Sequence, residues 1–192
     1  GAEPLYMGIV PDDYAYLQNT LQNAIENGAD LIISSAGVSI GSRDLVRRVL
    51  EDMGKIDFWR VRMRPGKPLA YGHVRGVPFF GLPGNPVSSL ASFEIFVRPA
   101  LLKMLGQPWD VQTVDAVLGH DFESDGRESY IRVTLTREGE RLIAHSTGTQ
   151  SSGAISSLVK ANGLLVIPAG TTHAAAGEVL PVRPFAGQPI RA

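Results

Sequence analysis

Leu31-Ile32-Ile33 runs straight into Ser34-Ser35-Ala36-Gly37-Val38-Ser39-Ile40-Gly41, after which Leu45, Val46, Val49, Leu50 and Met53 recur at helical spacing. A compact apolar run, a turn freed by two glycines and an amphipathic stretch stopped at Gly54 spell strand, loop, helix. Upstream, the apolar run Leu5–Val10 ends at Pro11-Asp12-Asp13, and Tyr14, Leu17, Leu21 and Ile25 keep a helical period as far as Gly28. The predicted order is strand–helix–strand–helix. That order predicts an α/β layered sheet whose working loops leave the carboxyl ends of its strands.

Further along, Ile56–Arg64 alternates, with Trp59, Val61 and Met63 on one side and Arg60, Arg62 and Arg64 on the other. The pattern predicts a strand with three cations on one face. Pro65-Gly66-Lys67-Pro68 interrupts it, and Leu69–Val74 with Val77–Phe80 reads as a hairpin around Arg75-Gly76. The loop Gly81-Leu82-Pro83-Gly84-Asn85-Pro86 then opens a long helix, with Asn85 typed as its N-cap, Pro86 as its first residue, a bend expected at Pro99 and a stop at Gly106.

Beyond Gln107-Pro108 the period changes. Val111–Leu118, Tyr130–Arg137, Leu142–Ser146, Leu164–Ile167 and Val179–Val182 are short strands between Gly-rich turns, with one helical turn near Ser156–Lys160, which predicts a small barrel or sandwich. Two domains follow, residues 1–106 and 107–192. Few strands precede Gly106 for a doubly wound domain, as expected of a chain that lacks upstream elements.

Composition narrows the function. With 21 Gly and 13 Pro in 192 residues the chain is no helical bundle. Lys+Arg 18 against Asp+Glu 19 gives no bulk attraction for nucleic acid or an anionic membrane, so any anion site is a local cluster. The absence of cysteine excludes disulfides, thiolate metal sites and Cys nucleophiles, and fits a cytoplasmic protein. Neither a signal peptide nor a membrane span is expected.

Local clusters do exist. In Ser34–Gly41, Gly37 and Gly41 let consecutive N–H groups face a phosphate, with Ser35 and Ser39 as added donors and the following helix N-terminus adding partial positive charge; the alternative is a purely steric strand-to-helix turn. Asp44 opens the helix after that loop and Asp12 and Asp13 follow the preceding strand, so these carboxylates either share a Mg²⁺ or cap helices. Arg60, Arg62, Arg64 and Lys67 form the densest positive cluster, suited to an oxyanion or else a solvated face. Pro83, Gly84, Asn85 and Pro86 make a stiff turn that aims main-chain N–H groups outward. The four histidines stand far apart, without metal-ligand spacing.

Three of these segments, Ser34–Asp44, Phe58–Phe80 and Gly81–Leu105, closely resemble the molybdopterin molybdenumtransferase family, which includes the C-terminal part of gephyrin. The resemblance starts at Met7 and runs more weakly through the β-rich tail. It implies a three-layer α/β/α molybdopterin-binding domain, truncated at its start, followed by a small barrel-like β domain. It also implies a transferase that takes molybdopterin-AMP and molybdate, inserts the metal into the dithiolene and releases AMP with Mg²⁺, working as a homodimer.

By position, Asp12 and Asp44 resemble the acidic residues at the family's Mg²⁺ and nucleotide site. Arg60 and Arg64 stand where lysines commonly receive molybdate and phosphate, and Lys67 matches the lysine of the PGKP motif. Pro83 and Pro86 match active-site prolines, and Arg132 and Ser152 fall where an arginine and a serine are proposed to hold molybdate. The family's double glycine is Ala36-Gly37 here, a change expected to be tolerated with Ala36 at negative φ. A gephyrin-type scaffold and a molybdopterin adenylyltransferase are the alternatives.

Overall fold

The structure, a computed structural model, describes residues 1–37, 43–110 and 112–191, apart from the side chains of Arg43, Asp44 and Trp59. Ser39 and Gly41 lie outside the described residues. The chain divides into two compact units, Gly1–Val61 with Gly66–Gln107, and Arg62–Pro65 with Pro108–Ala192.

In the first unit α1 (Tyr14–Glu26) starts where the Asp13 side chain accepts the Tyr16 N–H at 2.7 Å, a side-chain N-cap. Next come β1 (Ile32–Ser35), α2 (Arg43–Met53), β2 (Gly54–Arg60), β4 (Pro68–Val74) and β5 (Val77–Leu82), with β3 (Met63–Arg64) intervening in sequence but belonging to the other unit. The sheet order is β1-β5-β4-β2. Only β1 and β5 run parallel; β5–β4 is a hairpin whose turn residues Arg75 and Gly76 both have positive φ, as the strand twist demands, and β4–β2 is antiparallel.

Alternation along the strands loads both faces. Phe79 joins Leu21, Ala24, Val46, Val49, Leu50 and Met53 beneath α1 and α2, whereas the adjacent Phe80 joins Leu69, Leu82 and Val97 beneath the C-terminal helix. Burying a side chain of this size is worth about 2 kcal/mol. Three layers result, as the resemblance implies.

That last helix is continuous from α3 (Pro86–Ser92) through a π-helical turn, Phe93–Val97, into α4 (Arg98–Met104). Just before Pro99, where a bend is expected, the helix instead widens by this turn, in which the Arg98 N–H bonds to Phe93 O. Proline offers no N–H and crowds the carbonyl four residues back, and a wider turn just before it accommodates both.

Two strand expectations differ from the structure. Leu5–Val10 forms no strand: Gly8 interrupts the extended run with φ +82°, and Leu5, Tyr6 and Ile9 stay exposed, so little burial offsets the cost of ordering it. Ile56–Arg64 is not one strand either. Register shifts after Ile56 and Phe58 break its alternation, β2 ends at Arg60, and Arg62–Pro65 belongs to the second unit, so the three arginines do not share a face.

The second unit contains β6 (Val114–Leu118), β7 (Phe122–Glu123), β8 (Glu128–Glu138), β9 (Arg141–Ser146), α5 (Ile155–Lys160), β10 (Gly163–Ile167), β11 (His173–Ala174) and β12 (Val179–Pro184). The order β10-β12-β6-β9-β8 closes on itself through a β8–β10 pairing, giving a five-stranded barrel, and β3 adds parallel to the start of β8. Closure removes the sheet edges. The interior holds Leu118, Phe122, Ile131, Val133, Leu135, Leu165, Ile167 and Val182.

Candidate functional site

The register of the first sheet decides what gathers at its end. Ser35 pairs with Leu82, Ala70 with Gly81, and Arg60 with Pro68. The carboxyl ends of β1, β5 and β2 and the start of β4 therefore lie at one edge, where the loops beginning at Ala36 and Pro83 emerge beside Lys67 and Arg60. Four strands put about 14 Å between the first and last of these.

The two loops touch. The Ala36 N–H donates to Leu82 O at 3.1 Å, and a Cβ added to Gly84 would lie 3.3 Å from the Ala36 Cβ. Ala36 has φ +70° and Gly37 φ +78°. The condition set for tolerating alanine at this position, a negative φ, is not met: the loop turns through two successive left-handed residues, one of which carries a Cβ. Gly37 is also confined by α2, since a Cβ there would meet Val46 Cγ2 at 2.8 Å. Ser35 is exposed at the mouth of this turn. Asn85 precedes the helix with extended φ and ψ and makes no side-chain cap bond, so Pro86 at the first helical position sets the start.

Arg60 and Lys67 are exposed, and Val61 N–H to Lys67 O, 3.1 Å, ties their two segments together. Among the described residues neither has an acidic partner within salt-bridge distance.

Asp12 is exposed, and the cap of α1 is Asp13, not Asp12. Tyr14 donates its hydroxyl to Asp52 and lies under the Arg48 guanidinium, so these contacts fix the start of α1 against the C-terminal half of α2. Asp44 stands in the first turn of α2, about 12 Å along the axis from Asp52. The Asp44 side chain lies outside the described residues, and among the described residues no group of three acidic or His side chains could hold a metal ion.

In the second unit Arg64 does not stand free. Its Nη1 lies 3.7 Å from Asp125, whose carboxylate takes hydrogen bonds from Arg127, while Arg127 Nη1 donates to Met63 O at 3.2 Å. Hydrogen bonds and charge from Arg127, with Arg64 adding to them, hold the Asp125 carboxyl down to about 2. Two guanidiniums around one carboxylate leave a net positive charge at β3.

Arg132 is 1% exposed on β8. Its Nε donates to Ser157 Oγ at 2.6 Å and its Nη2 to the carbonyls of Thr149 and Ser151, both at 3.1 Å. Desolvation pulls its pKa down, and the guanidinium stays charged at neutral pH. Ser152 follows directly in the loop this arginine organises. Sequence reasoning missed Asp125, Arg127, Thr149, Gln150 and Ser157; the signal available was Gly148-Thr149-Gln150-Ser151-Ser152-Gly153, a Gly-bounded hydroxyl-rich loop before a short helix, of the same type as Ser34–Gly41.

A family described as "Probable molybdopterin binding domain" matches residues 1–103, and "MoeA C-terminal region (domain IV)" matches residues 115–185. The chain belongs to the molybdopterin-binding domain family. Similar relatives of this family member are the molybdopterin molybdenumtransferases of Haemophilus influenzae, 34% identical over 187 residues, 95% of this chain and 46% of that protein, and of a Nostoc species, 39% identical over 186 residues, 93% and 42%. Among solved structures, a molybdopterin biosynthesis MoeA protein from Pyrococcus horikosii superposes with a TM-score of 0.80 at 32% identity, covering 98% of this chain and 45% of that one. The chain thus spans less than half the length of these relatives. No helix among the described residues is long and apolar enough to cross a membrane.

Proposed function

We propose that this chain supplies the part of a molybdopterin molybdenumtransferase that holds molybdopterin-AMP and molybdate while the metal enters the dithiolene and AMP leaves. The observation that carries the reading is the shared sheet edge of the first unit. There a main-chain turn built from Ala36 and Gly37, the stiff Pro83–Pro86 loop and two exposed cations, Arg60 and Lys67, without acidic partners among the described residues, lie along one sheet edge. Exposed N–H groups and fixed cations suit a phosphate-bearing pterin nucleotide, and charges fixed before the reaction cost no reorganisation during it.

In this reading Ser35, Gly37, Ser39, Gly41, Pro83, Gly84, Asn85 and Pro86 bind the pterin nucleotide, and Lys67 neutralises its phosphates. Arg60, Arg64, Arg132 and Ser152 serve molybdate. Arg60 and Lys67 act in the first unit, Arg64, Arg132 and Ser152 in the second. Mg²⁺ would be held by Asp12 and Asp44. Asp12 fits that role because Asp13 performs the capping and leaves its neighbour's carboxylate exposed; with so few protein ligands, phosphate oxygens and water complete the shell, as is usual for this ion. When bound, the ion neutralises charge on the pyrophosphate. The reading carries with it a homodimer and a cytoplasmic setting.

Calorimetric titration of the chain with AMP tests it. Binding is expected to strengthen when Mg²⁺ is added, to lose that dependence in Asp12→Ala, and to weaken about tenfold in Lys67→Ala. AMP binding unaffected by either substitution refutes the assignment.

A further inference from the structure

β9 ends at Ser146, which pairs with Val133 of β8, so the next rung of that ladder falls at Arg132. Thr147 takes that rung only loosely, its N–H 3.4 Å and its Oγ1 3.2 Å from Arg132 O. The chain then turns at Gly148, with φ +96°, and Gln150 comes back to pair its side chain with the Arg132 main chain. Gln150 Oε1 accepts the Arg132 N–H at 3.1 Å and its Nε2 donates to Arg132 O at 3.1 Å. A carboxamide has one acceptor and a donor pair in nearly the geometry of a peptide group, which lets it stand in for a strand residue. The fold uses the same device once more on β8. Asn162, 3% exposed, accepts from Leu135 N–H at 2.6 Å and donates to Leu135 O at 3.0 Å.

The two carboxamides differ in what they hold. Asn162 also donates to Pro189 O, tying the segment after β12 to the barrel. Gln150 instead sits between Thr149 and Ser151, whose carbonyls the Arg132 side chain grips. One residue of a rigid strand thus ties down three successive loop residues, by its main chain at the middle one and its guanidinium at the outer two. Ser152 comes next.

We infer that Gln150 is a positioning residue for the oxyanion loop: its carboxamide locks Thr149–Ser152 to β8 and so fixes where Ser152 and the Arg132 charge meet the ligand. The inference rests on the proposed role of Arg132 and Ser152 toward molybdate. Gln150 touches no ligand itself. Its work is preorganisation, which removes the cost of ordering a mobile loop each time an anion binds.

The test uses the 192-residue chain, with molybdate titrated by calorimetry, thermal unfolding, and hydrogen exchange of the Thr149–Ser152 amides. Gln150→Met keeps length and volume and removes both bonds to Arg132 together with the 3.4 Å bonds from Nε2 to Ser146 Oγ and Gly148 O. It is expected to weaken molybdate about tenfold and to speed exchange in the loop, and to lower the melting temperature further than Thr134→Val does, because the Arg132 N–H loses its partner. Thr134→Val is the control, since it loses only a hydroxyl bond to Lys160 O at the far end of α5, 3.1 Å, and is expected to bind molybdate like the wild type.

Equal weakening in both variants, or wild-type affinity in Gln150→Met, overturns the inference and leaves the roles of Arg132 and Ser152 standing. A wild-type chain that takes up no molybdate overturns both together. Should Gln150→Met not fold, Gln150→Asn, whose stem is too short to reach both groups, is read in the same way.

Discussion

Ala36 carries a Cβ at φ +70°, where an L-residue pays about 1–2 kcal/mol that glycine does not. The side chain is exposed and supports no packing, so Ala36→Gly is expected to raise stability by about 1 kcal/mol, read as a higher urea midpoint with an unchanged slope. Gly37→Ala should do the opposite. It adds a left-handed Cβ and drives it to 2.8 Å from Val46 Cγ2, for a loss of about 2–4 kcal/mol. The glycine at this turn was legible from the sequence; the conformation of the alanine before it was not, because nothing in a residue's identity states that its neighbours hold it at an unfavourable φ. Arg132 shows the same limit. The family resemblance implied a ligand contact, and only the fold reveals that most of its donors are spent on Thr149, Ser151 and Ser157.

Among the elements, the two-residue strand β3 depends on charge for its place. Arg127 holds Met63 O and Asp125 together, and Asp125 draws in Arg64. The Asp125 pKa is lowered on folding, so its stabilising contribution is present above the unfolded value of 3.8 and is lost as pH falls through about 2. The melting temperatures of wild type and Asp125→Asn should accordingly differ by a constant amount above pH 3.8 and converge toward pH 2. Long elements with clean periods, α1, α2, the β4–β5 hairpin and β8 to β10, were readable from the sequence. The short pieces were not. β3, β7 and β11 are two residues each and exist only because a partner strand lies opposite, and alternation over Ile56–Arg64 could not disclose that the chain leaves one sheet for another midway. Nor could the apolar run Leu5–Val10 reveal that Gly8 would turn it out of any ladder.

At the scale of the whole chain, each unit has a core of its own, Phe79 and Phe80 with their helices in one and the closed barrel in the other. Calorimetric unfolding is therefore expected to resolve two transitions, with Gly37→Ala lowering one and Asn162→Ala the other. Asn162→Ala leaves Leu135 N–H and Pro189 O without their partner, while Leu135 O keeps the Arg191 N–H at 3.2 Å, a cost of about 1–3 kcal/mol. A single transition shifted by both substitutions would sink the expectation of independent cores. The candidate site was partly legible at this scale too: the anion-type loops and cations stood out as motifs, while their alignment along one sheet edge required the strand order and register.

The assignment of Arg62–Pro65 to the barrel unit has a practical corollary for protein engineering. A graft that exchanges the tail after Gln107 for that of a relative, but keeps the host's own tetrapeptide, joins a foreign β8 to a resident β3, so Arg127 and Asp125 must travel as a set with residues 62–65. The transplantable cassette is discontinuous, and chimeras cut at the obvious interdomain junction will carry a mismatched seam.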